Sequence, residues 1–348
     1  MFSSSFNVKK IPFYITMFIL VLIFSTFGKH VKDFFKKQTE NDEYELVRKY
    51  LLNDSSLYGY NKPKLWIHTK YERNSRVWKS FSSRSSLDLN QPYLHVTIKS
   101  IIDHCGDDFN ICLIDDHSFS KLLPLWKTNI SSLPESEKQK FRQYGMMSLL
   151  HTYGGMIIPN SFLCFQNLKH LYEIGISQNT PFLCESINNT MNAMEKKRML
   201  YIPDILFMGV EKKENPTIQE MIHFLKKRCD DVHVSCEDEF RGTFNTHCLL
   251  LIKLNKMILI GGEIIGIKTA SKERILLDDL MEEKELNLHS KCCGIYIAQD
   301  EILKRTKYQW FASLSINEII KSNSIISKYL QLSMVDTTTI IPSQVNTI

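Results

Sequence analysis

Apolar residues along this chain alternate between two spacings. Short, nearly unbroken apolar runs sit within residues 62–69, 109–116, 156–158, 181–185 and 204–209, and each is the length of a buried strand. Between them apolar positions recur every three or four residues. Leu94, Ile98, Ile101 and Ile102 predict a helix over 92–105. Met146, Met147, Leu149, Leu150 and Tyr153 predict one over 134–153, and Ile218, Met221, Ile222 and Leu225 one over 217–228, opened by Asn215-Pro216. Residues 168–174 and 316–330 also read as helices. Residues 257–268 read as a hairpin turning near Gly261-Gly262. Strand, helix and strand in succession predict a right-handed crossover and a parallel sheet, hence an α/β fold.

The junction after residue 153 is the sharpest of these signals. A helical pattern stops at Gly154-Gly155 and Met156-Ile157-Ile158 follows at once, so the glycine pair ends a helix and reverses the chain into a strand. That strand delivers Pro159-Asn160-Ser161 to the carboxyl edge of the sheet, where open α/β proteins place their ligands.

One segment departs from the alternation. Residues 11–27 carry no charge and are long enough to cross a bilayer core, with Lys9 and Lys10 before them and Lys29, Lys32, Lys36 and Lys37 after. No small-residue cleavage site follows, which favours an uncleaved anchor over a signal peptide. The expected organisation is an N-terminal flank at 1–10, a transmembrane anchor at 11–28, a stem at 29–61, a globular domain at 62–330 and a polar tail at 331–348. Orientation is read two ways. An exterior domain needs a cytoplasmic N-terminus, whereas the larger lysine cluster after the anchor argues for a cytoplasmic domain.

Composition narrows the classes. The 348 residues are 43% hydrophobic and 23% charged with a net charge of +5, which suits a globular domain. No dense Lys/Arg stripe is interleaved with aromatics, so nucleic acid is not an expected partner. The nine cysteines form an odd set without disulfide-scaffold spacing. The run from Cys229 to Cys236, with His247-Cys248, holds ligand types without zinc-site spacing. No Gly-x-Ser-x-Gly elbow marks a serine hydrolase.

The helix ending in Leu150, Tyr153, Gly154 and Gly155, with the short strand after it, resembles the glycosyltransferases that carry an Asp-x-Asp sugar-binding region. Lys62-Pro-Lys-Leu-Trp-Ile-His resembles that family's opening strand, and Ile202-Pro-Asp-Ile-Leu-Phe-Met-Gly with Asn215-Pro216 its later segment. The chain is also similar to uncharacterised proteins of large DNA viruses. The family resemblance implies a GT-A-like, Rossmann-type mixed sheet flanked by helices, a nucleotide-sugar donor and a glycan or protein acceptor. It also implies a divergent donor site, because the two aspartates fall on Pro159 and Ser161 and two further polar positions fall on Gln143 and Met146. Asparagine and serine are neutral oxygen ligands, so the usual Mn²⁺ or Mg²⁺ site, which offsets the charge of the departing diphosphate, is weakened.

The candidate donor-binding residues are therefore Asp115, Asp116, Arg142, Asn160 and Ser161. Asp115 and Asp116 end a strand and suit a sugar hydroxyl or a rearranged metal; the structural alternative is a turn and cap for the segment at His117-Ser118. Arg142 suits a phosphate by bidentate bonding, or else is a solvated helix residue beside Lys138 and Lys140. Glu185 and Asp204, at strand ends, are the candidates for the base that an inverting transfer requires. Trp66, Trp78 and Trp310 read as core. Two functions remain open: a membrane-anchored transferase with an altered, metal-independent donor site, and a catalytically inactive scaffold serving as a membrane-bound binding or structural component.

Overall fold

The computed structural model describes residues 62–69, 91–176, 180–185, 203–211, 213–230 and 237–334. The chain divides into units 1–48 and 49–348, and every described residue belongs to the second. The expected anchor at 11–28 and stem at 29–61, together with Trp78, lie outside the described residues. Among those residues no helix is long and apolar enough to cross a membrane.

The main sheet has six strands: β1 (Lys64–His68), β2 (Asn110–Ile114), β3 (Gly155–Ile157), β5 (Phe182–Glu185), β6 (Pro203–Val210) and β7 (Ile258–Ile260), in the order β2-β1-β3-β6-β5-β7. β2, β1 and β3 are mutually parallel, β6 runs against both β3 and β5, and β7 is parallel to β5. The sheet is therefore mixed and mostly parallel, with β6 reversed. A two-stranded ribbon joins β4 (Phe162–Cys164) to β8 (Gly294–Tyr296).

The parallel triplet follows from the expected crossovers. α1 (Tyr93–Cys105) links β1 to β2, and α3 (Glu135–Tyr153) leads into β3 after the single-turn helix α2 (Ser118–Leu122). Met146, Met147, Leu149 and Leu150 of α3 join Trp66, Ile157, Met208 and Val210 in one buried cluster. Beyond α4 (Lys169–Ile176), the same cluster takes Ile218, Met221 and Leu225 from α5 (Pro216–Cys229), whose start is capped by Asn215 Oδ1 accepting from the backbone N–H groups of Thr217 and Ile218. A second cluster lies under the ribbon. It gathers Tyr93 and Leu94 of α1, Leu163, Ile295, and apolar residues of α7 (Leu277–Met281), α8 (Gln299–Lys304), α9 (Gln309–Ser313), α10 (Ile316–Lys321) and α11 (Ile325–Met334).

Three expectations are corrected. The hairpin at 257–268 is a single strand: β7 pairs with β5, and Gly262 donates its N–H to Glu185 Oε2 (3.1 Å) rather than back across a hairpin. The closing helix is two, α10 and α11, because the Ser322, Ser324 and Ser327 hydroxyls bond one another between them. Trp310 is 46% exposed rather than core, while Trp66 is fully buried. The sequence reading also missed β4, β8 and α6 (Glu237–Lys253). The period of α6 is present in Phe244, Cys248 and Leu251, all buried in the first cluster.

Candidate functional site

The turn that positions the site is sterically determined. Gly154 ends α3 at φ 70°, its N–H donating to Leu150 O, and Gly155 continues at φ 99°. A Cβ on Gly155 would lie 2.2 Å from the Lys64 carbonyl oxygen, so β3 can lie beside β1 only with glycine there. The Trp66 indole completes the joint by donating to Gly154 O (2.9 Å). At the other end of β3, Ile158 N–H extends the pairing to Trp66 O, and the chain then turns at Pro159, whose carbonyl accepts from Phe162 N–H.

That turn lies in a row with the ends of β1, β2, β5 and β7 and the start of β6, because β6 alone is reversed. His68, Asp115, Asp116, Pro159–Ser161, Glu185 and Asp204 thus share one sheet edge. Arg142 joins them from the first half of α3.

Asp116 anchors a compact ionic cluster. Arg142 grips it with both prongs, Nε to Oδ1 at 2.8 Å and Nη2 to Oδ2 at 2.7 Å, and His68 Nε2 donates to Oδ1 at 2.9 Å. The Arg142 and Asp116 side chains are only 7% and 19% exposed, so the pair is shielded from solvent. Burial on its own would raise the Asp116 carboxyl. The hydrogen bonds from Arg142 and His68 outweigh it and hold the group well below the usual carboxylate range. The His68 ring lies parallel to Phe119 of α2 at 5.7 Å. Arg142 is thus not a solvated helix residue, and Lys140 beside it is buried as well.

Asp115 has a different occupation. Its Oδ1 accepts from the backbone N–H and the hydroxyl of Ser118, at 2.9 and 2.8 Å, and the Ser118 hydroxyl lies 3.1 Å from the Asp115 N–H. These bonds close a turn that leads into α2, whose own N-cap, His117, makes no side-chain cap bond. Of the two adjacent aspartates, one shapes the loop and the other holds Arg142 and His68.

Asn160 and Ser161 are both buried. The Asn160 carbonyl accepts from Thr97 Oγ1 of α1 (2.7 Å), and the Ser161 carbonyl from Ile297 N–H (3.0 Å). Among the described residues the Ser161 hydroxyl has no hydrogen-bond partner, and neither has the hydroxyl of Thr69, which directly follows β1. Two buried, unsatisfied hydroxyls on neighbouring strands of one edge are a rarity in folded proteins.

A second ionic cluster closes the far side. Glu185 Oε2 meets Lys268 Nζ at 2.6 Å and accepts the Gly262 N–H. Asp204 stands in register with Cys184 on the adjoining strand, and its Oδ1 accepts from Leu206 N–H (3.0 Å). With strands spaced about 4.8 Å apart, His68 and Glu185 are separated by roughly 14 Å, with Pro159–Ser161 between them.

Among the described residues no group of three or more His, Cys, Asp or Glu side chains stands together as a divalent cation would require, and Asp115 and Asp116 already hold hydrogen-bond partners. His68, Thr69 and Lys268 were not singled out from sequence. His68 had a signal, a polar residue closing an apolar strand. Lys268 had none, since it reaches Glu185 from a loop more than eighty residues downstream.

No family model matches the chain, and no curated protein does. Among solved structures, a galactosyltransferase, LgtC, in complex with donor and acceptor sugar analogues is similar over 58% of this chain and 74% of that one, with 11% identity and a TM-score of 0.29. A likeness that distant carries no conclusion about function.

Proposed function

We propose that this chain is a GT-A-like, glycosyltransferase-related protein that binds a nucleotide sugar along the carboxyl edge of its sheet without a divalent cation. If active, it transfers the sugar to an acceptor hydroxyl of a glycan or protein. The observation that carries this reading is the flanking of a neutral, buried Asn160-Ser161 turn by two ionic clusters on one sheet edge. In this reading Arg142 supplies the positive charge that a metal would otherwise bring to the diphosphate, and the His68 ring N–H adds a hydrogen-bond donor. A guanidinium fork fits phosphate as well as carboxylate, so the donor shares Arg142 with Asp116. Ser161 and Thr69 hydroxyls supply neutral hydrogen bonds. Glu185 or Asp204 serves as base in an inverting transfer, and Glu185 does so by exchanging its contact with Lys268; a retaining transfer needs neither. The segment 11–28 would tether this domain to a membrane.

A second reading has its own support: Asp115, Asp116, Glu185 and Asp204 each already hold a hydrogen-bond partner. That pattern suits an inactive scaffold that keeps the fold as a membrane-bound binding component. Calorimetric titration of the full chain with UDP and GDP sugars, in Mn²⁺ and in EDTA, separates the two. Saturable binding that persists in EDTA supports the metal-independent donor site. Binding only with Mn²⁺ would mean that carboxylates have rebuilt the metal site, and no binding by folded protein leaves the scaffold.

A further inference from the structure

A cavity of about 500 Å³ lies apart from the carboxyl edge, under the ribbon, and none of the edge residues lines it. It is walled by the last turns of α1, the residue after β4, the segment before β8 and the end of α11. Its volume falls within the roughly 300–1,000 Å³ of small-molecule sites. We propose that it is a second ligand site, for a small monocarboxylate with an apolar body.

Apolar surface makes up rather more than half of the wall. Phe165 and Tyr329 form a ring pair at 5.5 Å, and Leu288, Leu332 and Met334 complete it. Such a surface takes up an apolar body by removing both partners from water. The polar groups on the lining are mostly donors. Lys99 makes no ion pair among the described residues, which leaves its ammonium to be neutralised by a ligand. His289 Nδ1 accepts the Lys291 N–H (3.1 Å), so its ring proton sits on Nε2 as a hydrogen-bond donor. Burial lowers the pKa of His104, which makes it a neutral hydrogen-bonding group at pH 7 rather than a second cation. The one carboxylate on the lining, Asp103, is exposed and already has an interaction of its own. One cation with no ion pair among the described residues, beside an apolar wall, matches one carboxylate on an apolar body. A dianion or a sugar, with polar groups on every side, would leave that wall unused.

The test is titration of the full chain with 4-phenylbutyrate and with its neutral amide. One saturable site is expected, with the amide at least fivefold weaker and Lys99→Gln weakening the carboxylate to the same extent. Leu288→Trp fills the cavity and should abolish binding. Leu332→Trp acts at the rim, on a residue 58% exposed, and should weaken binding without disturbing the fold. Equal affinity for carboxylate and amide, unchanged binding in folded Leu332→Trp, or no saturable heat from folded wild type each overturns the proposal. None of these outcomes depends on the nucleotide-sugar reading, because the edge residues are left intact.

Discussion

Three residues separate Gly154-Gly155 from Pro159–Ser161 at the two ends of β3, and the two sites obey different constraints. At Gly154-Gly155 the backbone occupies positive φ, and a Cβ on the second residue would strike a carbonyl at 2.2 Å. Nothing but glycine serves there, whatever the protein does. At Pro159–Ser161 no residue has positive φ, so the backbone does not demand glycine, although all three residues are buried. The backbone thus dictates the residues at one end of β3, and the other end carries the side chains on which the proposed function rests.

Substitutions at each end sharpen this contrast. The largest effect is expected from Gly155→Ala, where a clash with the β1 backbone adds to left-handed strain; a loss of about 3 kcal/mol or more in urea unfolding is expected. Asp116→Asn comes next. It leaves the shielded Arg142 guanidinium without its carboxylate and should cost about 2–3 kcal/mol by the same measurement. Glu185→Gln, which weakens the Lys268 contact but keeps an acceptor for Gly262 N–H, should cost about 1–2 kcal/mol. Ser161→Ala should be nearly neutral for stability, within about 0.5 kcal/mol, because its hydroxyl has no partner among the described residues to lose. A simultaneous drop in nucleotide-sugar affinity would mark that hydroxyl as a ligand contact.

Acidity offers an independent test of the Asp116 cluster. Its folded pKa lies below its unfolded value, so it adds stability that is complete above the ordinary carboxylate value of about 4. That contribution is lost as pH falls from there through the depressed folded value. Unfolding free energy should therefore decline more steeply below about pH 4 in wild type than in Asp116→Asn. Parallel curves would show that the cluster contributes nothing to folding.

The sequence made the framework of this sheet legible because burial writes period into it. The apolar runs ending at His68, Ile114, Ile158 and Glu185 all became strands, and the glycine pair marked the one joint that glycine alone permits. It failed where partners are distant or strands are short. β4 and β8 hold three residues each and exist through each other, and Lys268 meets Glu185 only once β5 and β7 are paired. The roles of Asp115 and Asp116 could not be separated from adjacency alone. Ser118, three residues on, drew one into a turn, while Arg142, twenty-six residues on, drew the other into an ion pair.

Hydrogen exchange of the full chain, read by mass spectrometry with and without a UDP or GDP sugar, tests the central claim most directly. A donor site on the carboxyl edge predicts protection in peptides covering residues 66–69, 114–118 and 158–163, in EDTA as in Mn²⁺, and its weakening by Arg142→Ala. Protection confined to other segments, or unchanged exchange at saturating nucleotide sugar, would contradict it.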